Sequence, residues 1–96
     1  MLELRPSCEH CDRDLPPDSP EARICTFECT FCATCVDEVL HGLCPNCTGE
    51  FVRRPVRPGS RLERYPAQVE RHHQPVDLAA HAERLARSGA LAVIDR

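Results

Sequence analysis

A chain of 96 residues with eight cysteines, 4% aromatic residues and a formal net charge of −3 is one small domain with at most an appendage, and it excludes a large apolar core. No stretch approaches the roughly 18 consecutive apolar residues of a membrane span. The opening MLELRPSC has no basic run followed by an apolar one, so a secretory signal is not expected and the chain is expected in the cytoplasm.

In chain order, residues 1–7 are a lead-in whose Leu2 and Leu4 form an edge strand or cover the module. Cys8-Glu9-His10-Cys11 reads as a metal-binding knuckle, a tight turn whose backbone amides point at the sulfurs. Asp14 to Pro20 carries three prolines and is expected to be an exposed irregular loop. Ala22 to Glu28 is strand-like, with Ile24 and Phe27 as its apolar residues. Thr34 reads as a helix N-cap with Asp37 as its capping-box partner. Val36, Val39, Leu40 and Leu43 then lie on one helical face, and Gly42 stops the helix. Cys35 falls in its first turn and Cys32 just before it. Cys44-Pro45-Asn46-Cys47 is a second knuckle, after which Phe51 and Val52 run back over the core.

From Arg53 the composition changes. Residues 1–52 hold three arginines against ten acids, whereas residues 53–96 hold nine arginines against five acids, with no lysine anywhere. Arg53 to Gly59 is expected to be extended or polyproline-like. Polar sequence continues to residue 76 through Pro66, His72, His73 and Pro75. A second helix is predicted from Asp77, its N-cap, through Arg87, with Leu78, Ala82 and Leu85 on one face and Gly89 as its stop. Ala90 to Ile94 is apolar and packs back, pairs with another copy or frays. The chain thus divides into a cysteine-rich module (1–52), an Arg/Pro-rich linker (53–76) and a helix with an apolar tail (77–96).

The cysteines run C-x2-C, thirteen residues, C-x3-C-x2-C-x2-C, eight residues, C-x2-C. Eight thiols make two sets of four, and four thiolates saturate a tetrahedral structural zinc site. A reducing compartment and the C-x2-C pairs favour two Zn²⁺ over a disulfide framework. A module this short needs such a staple, because its apolar burial alone barely offsets the chain entropy lost on folding. Eight thiolates and two Zn²⁺ make the acidic half more negative still, which argues against the module itself binding a phosphate backbone.

Two pairings are sensible. A sequential one puts Cys8, Cys11, Cys25 and Cys29 on one ion and Cys32, Cys35, Cys44 and Cys47 on the other. A cross-braced one puts Cys8, Cys11, Cys32 and Cys35 on the first ion and Cys25, Cys29, Cys44 and Cys47 on the second. A knuckle, a hairpin-like stretch and a C-x2-C at a helix N-terminus favour the cross-brace, since the free amides there stabilise thiolates.

The ligand order, the Phe31-Cys32-x2-Cys35 step and the Cys44-Pro45-x-Cys47 finish resemble an all-cysteine RING-type cross-brace over residues 8–47. The chain departs from ubiquitin-ligase RINGs in having Glu9 and His10 between the first two cysteines, Thr48 after the last, and no tryptophan. Across the first 58 residues, MLELRPSCEHCDRDLPPDSPEARICTFECTFC and CPNCTGEFVRRPVRP resemble a family of short bacterial cysteine-rich proteins known only as a domain of unknown function. That resemblance implies a bacterial, cytosolic zinc-binding protein with no assigned activity.

The expected architecture is a small metal-stabilised α+β fold, a treble-clef/RING-like two-zinc module with an extended Arg/Pro-rich segment and a C-terminal helix. Closed four-thiolate sites leave no position for a reacting water, and Cys44-x2-Cys47 lacks the βαβ setting of an oxidoreductase, so no catalytic residue is expected. His10 and His41 read as surface or outer-sphere residues rather than substitute ligands. His72, His73 and His81 offer an accessory metal site or, more simply, solvated side chains. The favoured function is a non-enzymatic protein-interaction or adaptor module. Its alternatives are a nucleic-acid accessory factor acting through Arg53, Arg54 and Arg57, and a thiol or zinc-based redox or metal sensor. Oligomeric state is not legible.

Overall fold

Alternation of buried and half-exposed residues in Ala22-Arg23-Ile24 makes a short strand, β1 (Ala22–Ile24), with Arg23 turned outward to donate to the Pro20 carbonyl at 2.8 Å. It pairs antiparallel with β2 (Thr30–Cys32) in the register Ala22↔Cys32, Arg23↔Phe31 and Ile24↔Thr30. β3 (Val52–Arg53) adds antiparallel to the other side of β1, giving the order β2-β1-β3. This computed structural model describes residues 1–88; the predicted stop at Gly89 and the apolar segment Ala90 to Ile94 lie outside the described residues.

The strand stops sooner than its apolar pattern suggested. Residues 25–29 form a turn, closed by Cys25 N–H donating to the Cys29 carbonyl at 3.2 Å and Glu28 N–H to the Cys25 carbonyl at 3.1 Å. Glu28 sits in the left-handed region (φ 63°), which bends the chain, and Phe27 is 73% exposed rather than part of a strand.

β2 runs directly into α1 (Ala33–Glu38), and Cys32, with extended backbone, occupies the N-cap position. Thr34 therefore lies inside the first turn, and the predicted capping box with Asp37 is not formed. Strand-to-helix continuity moves the start upstream of the residue with the best capping side chain. The helix also ends early, at Val39: the Val39 and Leu40 amides both donate to the Cys35 carbonyl, at 2.9 and 2.8 Å. His41 (φ 52°) and Gly42 (φ 79°) then turn left-handed, and Gly42 N–H reaches the Val36 carbonyl at 2.9 Å. Gly42 takes this conformation without strain, whereas a β-carbon costs about 1 kcal/mol there.

Phe31 and Phe51 meet edge to face, with centroids 5.6 Å apart at 83°, and Leu15, Ala22, Val36, Leu40 and the cysteines pack around them. Leu15 is fully buried although it belongs to the proline-rich stretch expected to be exposed. Phe51 runs over the core, but its neighbour Val52 points out.

Arg54 explains part of this. Its guanidinium is 1% exposed and donates to the carbonyls of Arg5 (2.9 Å), Leu15 (3.3 Å) and Pro16 (3.0 Å), while its own amide donates to the Ala22 carbonyl at 2.9 Å. One side chain thus ties the lead-in and the proline loop to the sheet, and Leu15 follows it inward. Burial holds its pKa below the usual arginine value.

Residues 53–76 return to the module rather than run free of it. Gln68 N–H donates to the Leu4 carbonyl at 2.9 Å and Gln74 N–H to the Glu9 carbonyl at 2.8 Å. A single helical turn, α2 (Gly59–Leu62), interrupts the segment expected to be extended. α3 (Leu78–Ser88) starts as Asp77 accepts the Ala80 amide at 3.1 Å, the N-cap bond. Of the predicted apolar face, Leu78 and Ala82 are exposed and Leu85 is half-buried, while the fully buried residue is His81. No described helix is long and apolar enough to cross a membrane.

Candidate metal centre

The two knuckles are geometric twins. In the first, Cys8 N–H donates to the Arg13 carbonyl (2.8 Å), Asp12 N–H donates to the Cys8 carbonyl (2.9 Å), and Asp12 has φ 63°. In the second, Cys44 N–H donates to the Gly49 carbonyl (3.0 Å), Thr48 N–H to the Cys44 carbonyl (2.9 Å), and Thr48 has φ 59°. Each turn aims free amides at sulfur: Asn46 N–H lies 3.4 Å from Cys44 Sγ and Gly49 N–H 3.4 Å from Cys47 Sγ. The hairpin turn does the same, with Phe27 N–H 3.3 Å from Cys25 Sγ. Such donors favour thiolate over thiol.

The sheet decides which turns meet. Glu9 N–H donates to the Thr30 carbonyl at 2.9 Å, laying the first knuckle along the free edge of β2, beside the point where β2 becomes α1. Cys8, Cys11, Cys32 and Cys35 consequently bring their sulfurs within 4.8 Å of one another. β3 pairing carries the second knuckle to the hairpin turn, where Thr26 Oγ1 lies 3.5 Å from Cys47 Sγ, and Cys25, Cys44 and Cys47 form a second group by the same criterion. Cys29 is buried beside Cys25 but stands outside that group. All eight cysteines are free thiols.

Cys11 and Cys32 Sγ are 3.8 Å apart. A tetrahedron of sulfurs at metal–sulfur bonds of about 2.3 Å has edges of about 3.8 Å, whereas a disulfide needs about 2.05 Å. Four bare thiolates at that spacing would repel strongly, by about 4 kcal/mol per pair at 4 Å with an effective dielectric of about 20. The titration pattern follows. Burial pushes the Cys8, Cys25 and Cys44 thiols up, and burial together with the neighbouring Cys32 thiol pushes Cys35 up strongly. Cys32 and Cys47 go the other way despite burial. The Cys35 amide and adjacent thiols lower Cys32, while the Thr26 hydroxyl and Gly49 amide lower Cys47 to about 7. A divalent cation would let the thiols that burial pushes up ionise as well. Both groups are placed to hold a metal ion.

A β-carbon at Gly49 would sit 3.2 Å from Cys47 Sγ and 3.2 Å from Thr26 Oγ1. Gly49→Ala is expected to destabilise the protein by about 1–3 kcal/mol by crowding the second group. Metal titration should show that group weakened and the first unchanged, and Gly59→Ala, which faces open space, should leave both alone.

The histidines do not gather. His10 Nδ1 accepts the Val76 amide at 2.9 Å, His73 Nε2 donates to the His10 carbonyl at 3.3 Å, and His81 Nε2 donates to the Leu40 carbonyl at 2.8 Å. Among the described residues no histidine joins a metal-competent group. Of the three arginines on which the nucleic-acid alternative depends, Arg54 is buried and Arg57 donates to the carbonyls of Tyr65 (2.7 Å) and Leu2 (2.8 Å), leaving Arg53 exposed. The residues that sequence reasoning missed, Arg54 and His81, are polar ones turned inward, which apolar periodicity cannot flag.

The profile of DUF1272, described as a protein of unknown function, matches residues 1–57. The chain belongs to the DUF1272 family. The matched stretch of this chain holds all eight cysteines, the three strands, α1 and Arg54. A curated relative from Rhizobium meliloti (strain 1021), uncharacterized protein R02474, is 67% identical over 75 residues, 78% of this chain and 89% of the relative. No solved structure matches.

Proposed function

We propose that this DUF1272 chain is a non-enzymatic two-zinc module, treble-clef/RING-like and cross-braced, whose metals hold the fold and whose surface engages a protein partner as an adaptor. The observation that carries it is the gathering of seven sulfurs into two groups, each fed by knuckle amides, one at the 3.8 Å edge of a zinc–thiolate tetrahedron. Cys8, Cys11, Cys32 and Cys35 hold the first ion. Cys25, Cys44 and Cys47 hold the second, with Cys29, at the other end of the 25–29 turn from Cys25, rotating in as its fourth ligand. Full thiolate shells leave no coordination site for a substrate or a reacting water, which supports a structural rather than catalytic metal. Eight free thiols suit a reducing, cytoplasmic setting.

The adaptor reading is favoured over nucleic-acid binding because Arg54 is buried and Arg57 already donates to two backbone carbonyls, which leaves Arg53 as the exposed one of the three. Native mass spectrometry of protein purified without added metal should show two zinc ions per chain. A metal-free chain with four disulfides would overturn the proposal. Pull-downs should recover a specific partner that is lost when Cys44 becomes serine.

A further inference from the structure

Beyond the family-matched stretch the chain comes back to the first cysteine group and grips it at several points. Gln74 N–H donates to the Glu9 carbonyl (2.8 Å), Val76 N–H to His10 Nδ1 (2.9 Å) and His73 Nε2 to the His10 carbonyl (3.3 Å). Glu9 and His10 are the two residues between Cys8 and Cys11. Arg71 straddles the residues just after Cys11: its Nη2 donates to the Asp12 carbonyl (2.7 Å) and to Asp14 Oδ1 (2.8 Å), and its Nε to Asp12 Oδ1 (3.0 Å). Further on, His81 is 1% exposed, donating to the Leu40 carbonyl (2.8 Å) and accepting from Arg84 at 3.2 Å, which anchors the far end beyond Cys35. The second knuckle, residues 44–49, is reached less directly: Asn46 Nδ2 donates to Glu9 Oε2 at 2.8 Å.

We infer that residues 71–81 are an outer shell for the first metal ion, with Arg71 as its positioning residue, and that they make the two ions kinetically unequal. This rests on the metal-binding reading above. An ion leaves a four-thiolate site when a knuckle swings and its sulfurs detach one after another. Pinning Glu9, His10 and Asp12 restrains that swing at the first site. Arg71 does not hydrogen-bond the second knuckle, which is tethered through Asn46 to Glu9 (2.8 Å), and Cys29 must turn in to complete its ligand set, so the second ion exchanges more readily with soft, thiol-seeking competitors. Charge works in the same direction. Four thiolates around a divalent cation would keep a net negative charge, and Arg71, paired with Asp12 and Asp14 just after Cys11, adds a cation to the same knuckle; a clamp that favours the loaded site retains the ion by linkage.

The test is metal release from the full two-ion protein into excess chromophoric chelator. The wild type should release its ions in two phases, with hydrogen exchange rising in residues 44–49 during the fast phase and in residues 8–14 during the slow one. Arg71 is 41% exposed, so its replacement spares the fold. Arg71→Ala should speed the slow phase roughly tenfold, the scale on which outer-shell partners act, and leave the fast phase unchanged. Arg71→Lys should restore part of the retention, because an ammonium reaches the carboxylates without forking to the carbonyl. The exposed Arg87→Ala should alter neither phase. Release in a single phase, or a slow phase indifferent to Arg71→Ala, overturns the clamp alone. A chain that holds no ion overturns the metal reading together with it.

Discussion

Removing the metals of the proposed two-ion protein with a chelator is expected to unfold its cysteine-bearing half. The buried cluster contains Cys8, Cys25, Cys29, Cys32, Cys35 and Cys44 alongside few large apolar residues, chiefly Leu15, Phe31, Val36, Leu40 and Phe51. Burying each of those apolar side chains stabilises the fold by about 1.5–3 kcal/mol, and that sum is set against roughly 1–2 kcal/mol of backbone entropy for every residue ordered. Strands of two or three residues and a six-residue helix supply little independent stability. A structural zinc site contributes about 10–16 kcal/mol in small fingers, more than the whole net stability of many domains. Far-ultraviolet circular dichroism and hydrogen exchange, taken after metal removal has been verified, should both report unfolding of residues 1–57. Unchanged spectra would mean that the cysteines pack as ordinary buried residues and that the structural-metal proposal is wrong.

Arg54→Ala is the most damaging substitution expected outside the cysteines. It deletes the donor to three carbonyls, those of Arg5, Leu15 and Pro16, and leaves a cavity where the alkyl stem ran. The Pro16 carbonyl keeps the Ser19 amide at 2.9 Å, but those of Arg5 and Leu15 lose their donor at about 1–3 kcal/mol each, so with the cavity a total of about 3–5 kcal/mol is expected. In a domain of this size that lowers Tm by more than about 10 °C. Arg54→Lys should recover little, since a point charge on one stem cannot serve carbonyls from two separate segments. Arg53→Ala, one residue earlier on the exposed edge of β3, should stay within about 0.5 kcal/mol. Thermal melts of the metal-loaded variants separate the cases, and equal losses at the two positions would show that the buried guanidinium is not a staple.

These results show where local pattern was informative. Knuckle chemistry is written in a few adjacent residues, because C-x2-C spacing and the turn it permits are local properties. Asp77 as an N-cap is local too, and α3 begins beside it. The start of α1 was misplaced because the best capping side chain, Thr34, competes with strand pairing that reaches Cys32, and pairing is a long-range property. Phe27 read as a strand residue because the turn that exposes it depends on Glu28 adopting a left-handed backbone, which its side chain does not advertise. Arg54 and Arg57 read as surface charge because composition makes arginine a surface residue by default. Here the carbonyls of distant segments satisfy their donors.

By itself the sequence determined the supply of eight thiols, the turns that present most of them, the charge contrast between the halves and the need for a staple in so small a core. Each of these follows from residue types and short-range spacing. Only the tertiary structure decided which sulfurs meet, because Cys11 and Cys32 are brought to 3.8 Å by a hairpin and by the knuckle laid along its edge. It alone turned Arg54 inward and returned residues 71–81 to the first knuckle. Both depend on carbonyls and carboxylates offered from dozens of residues away, and no local pattern encodes those.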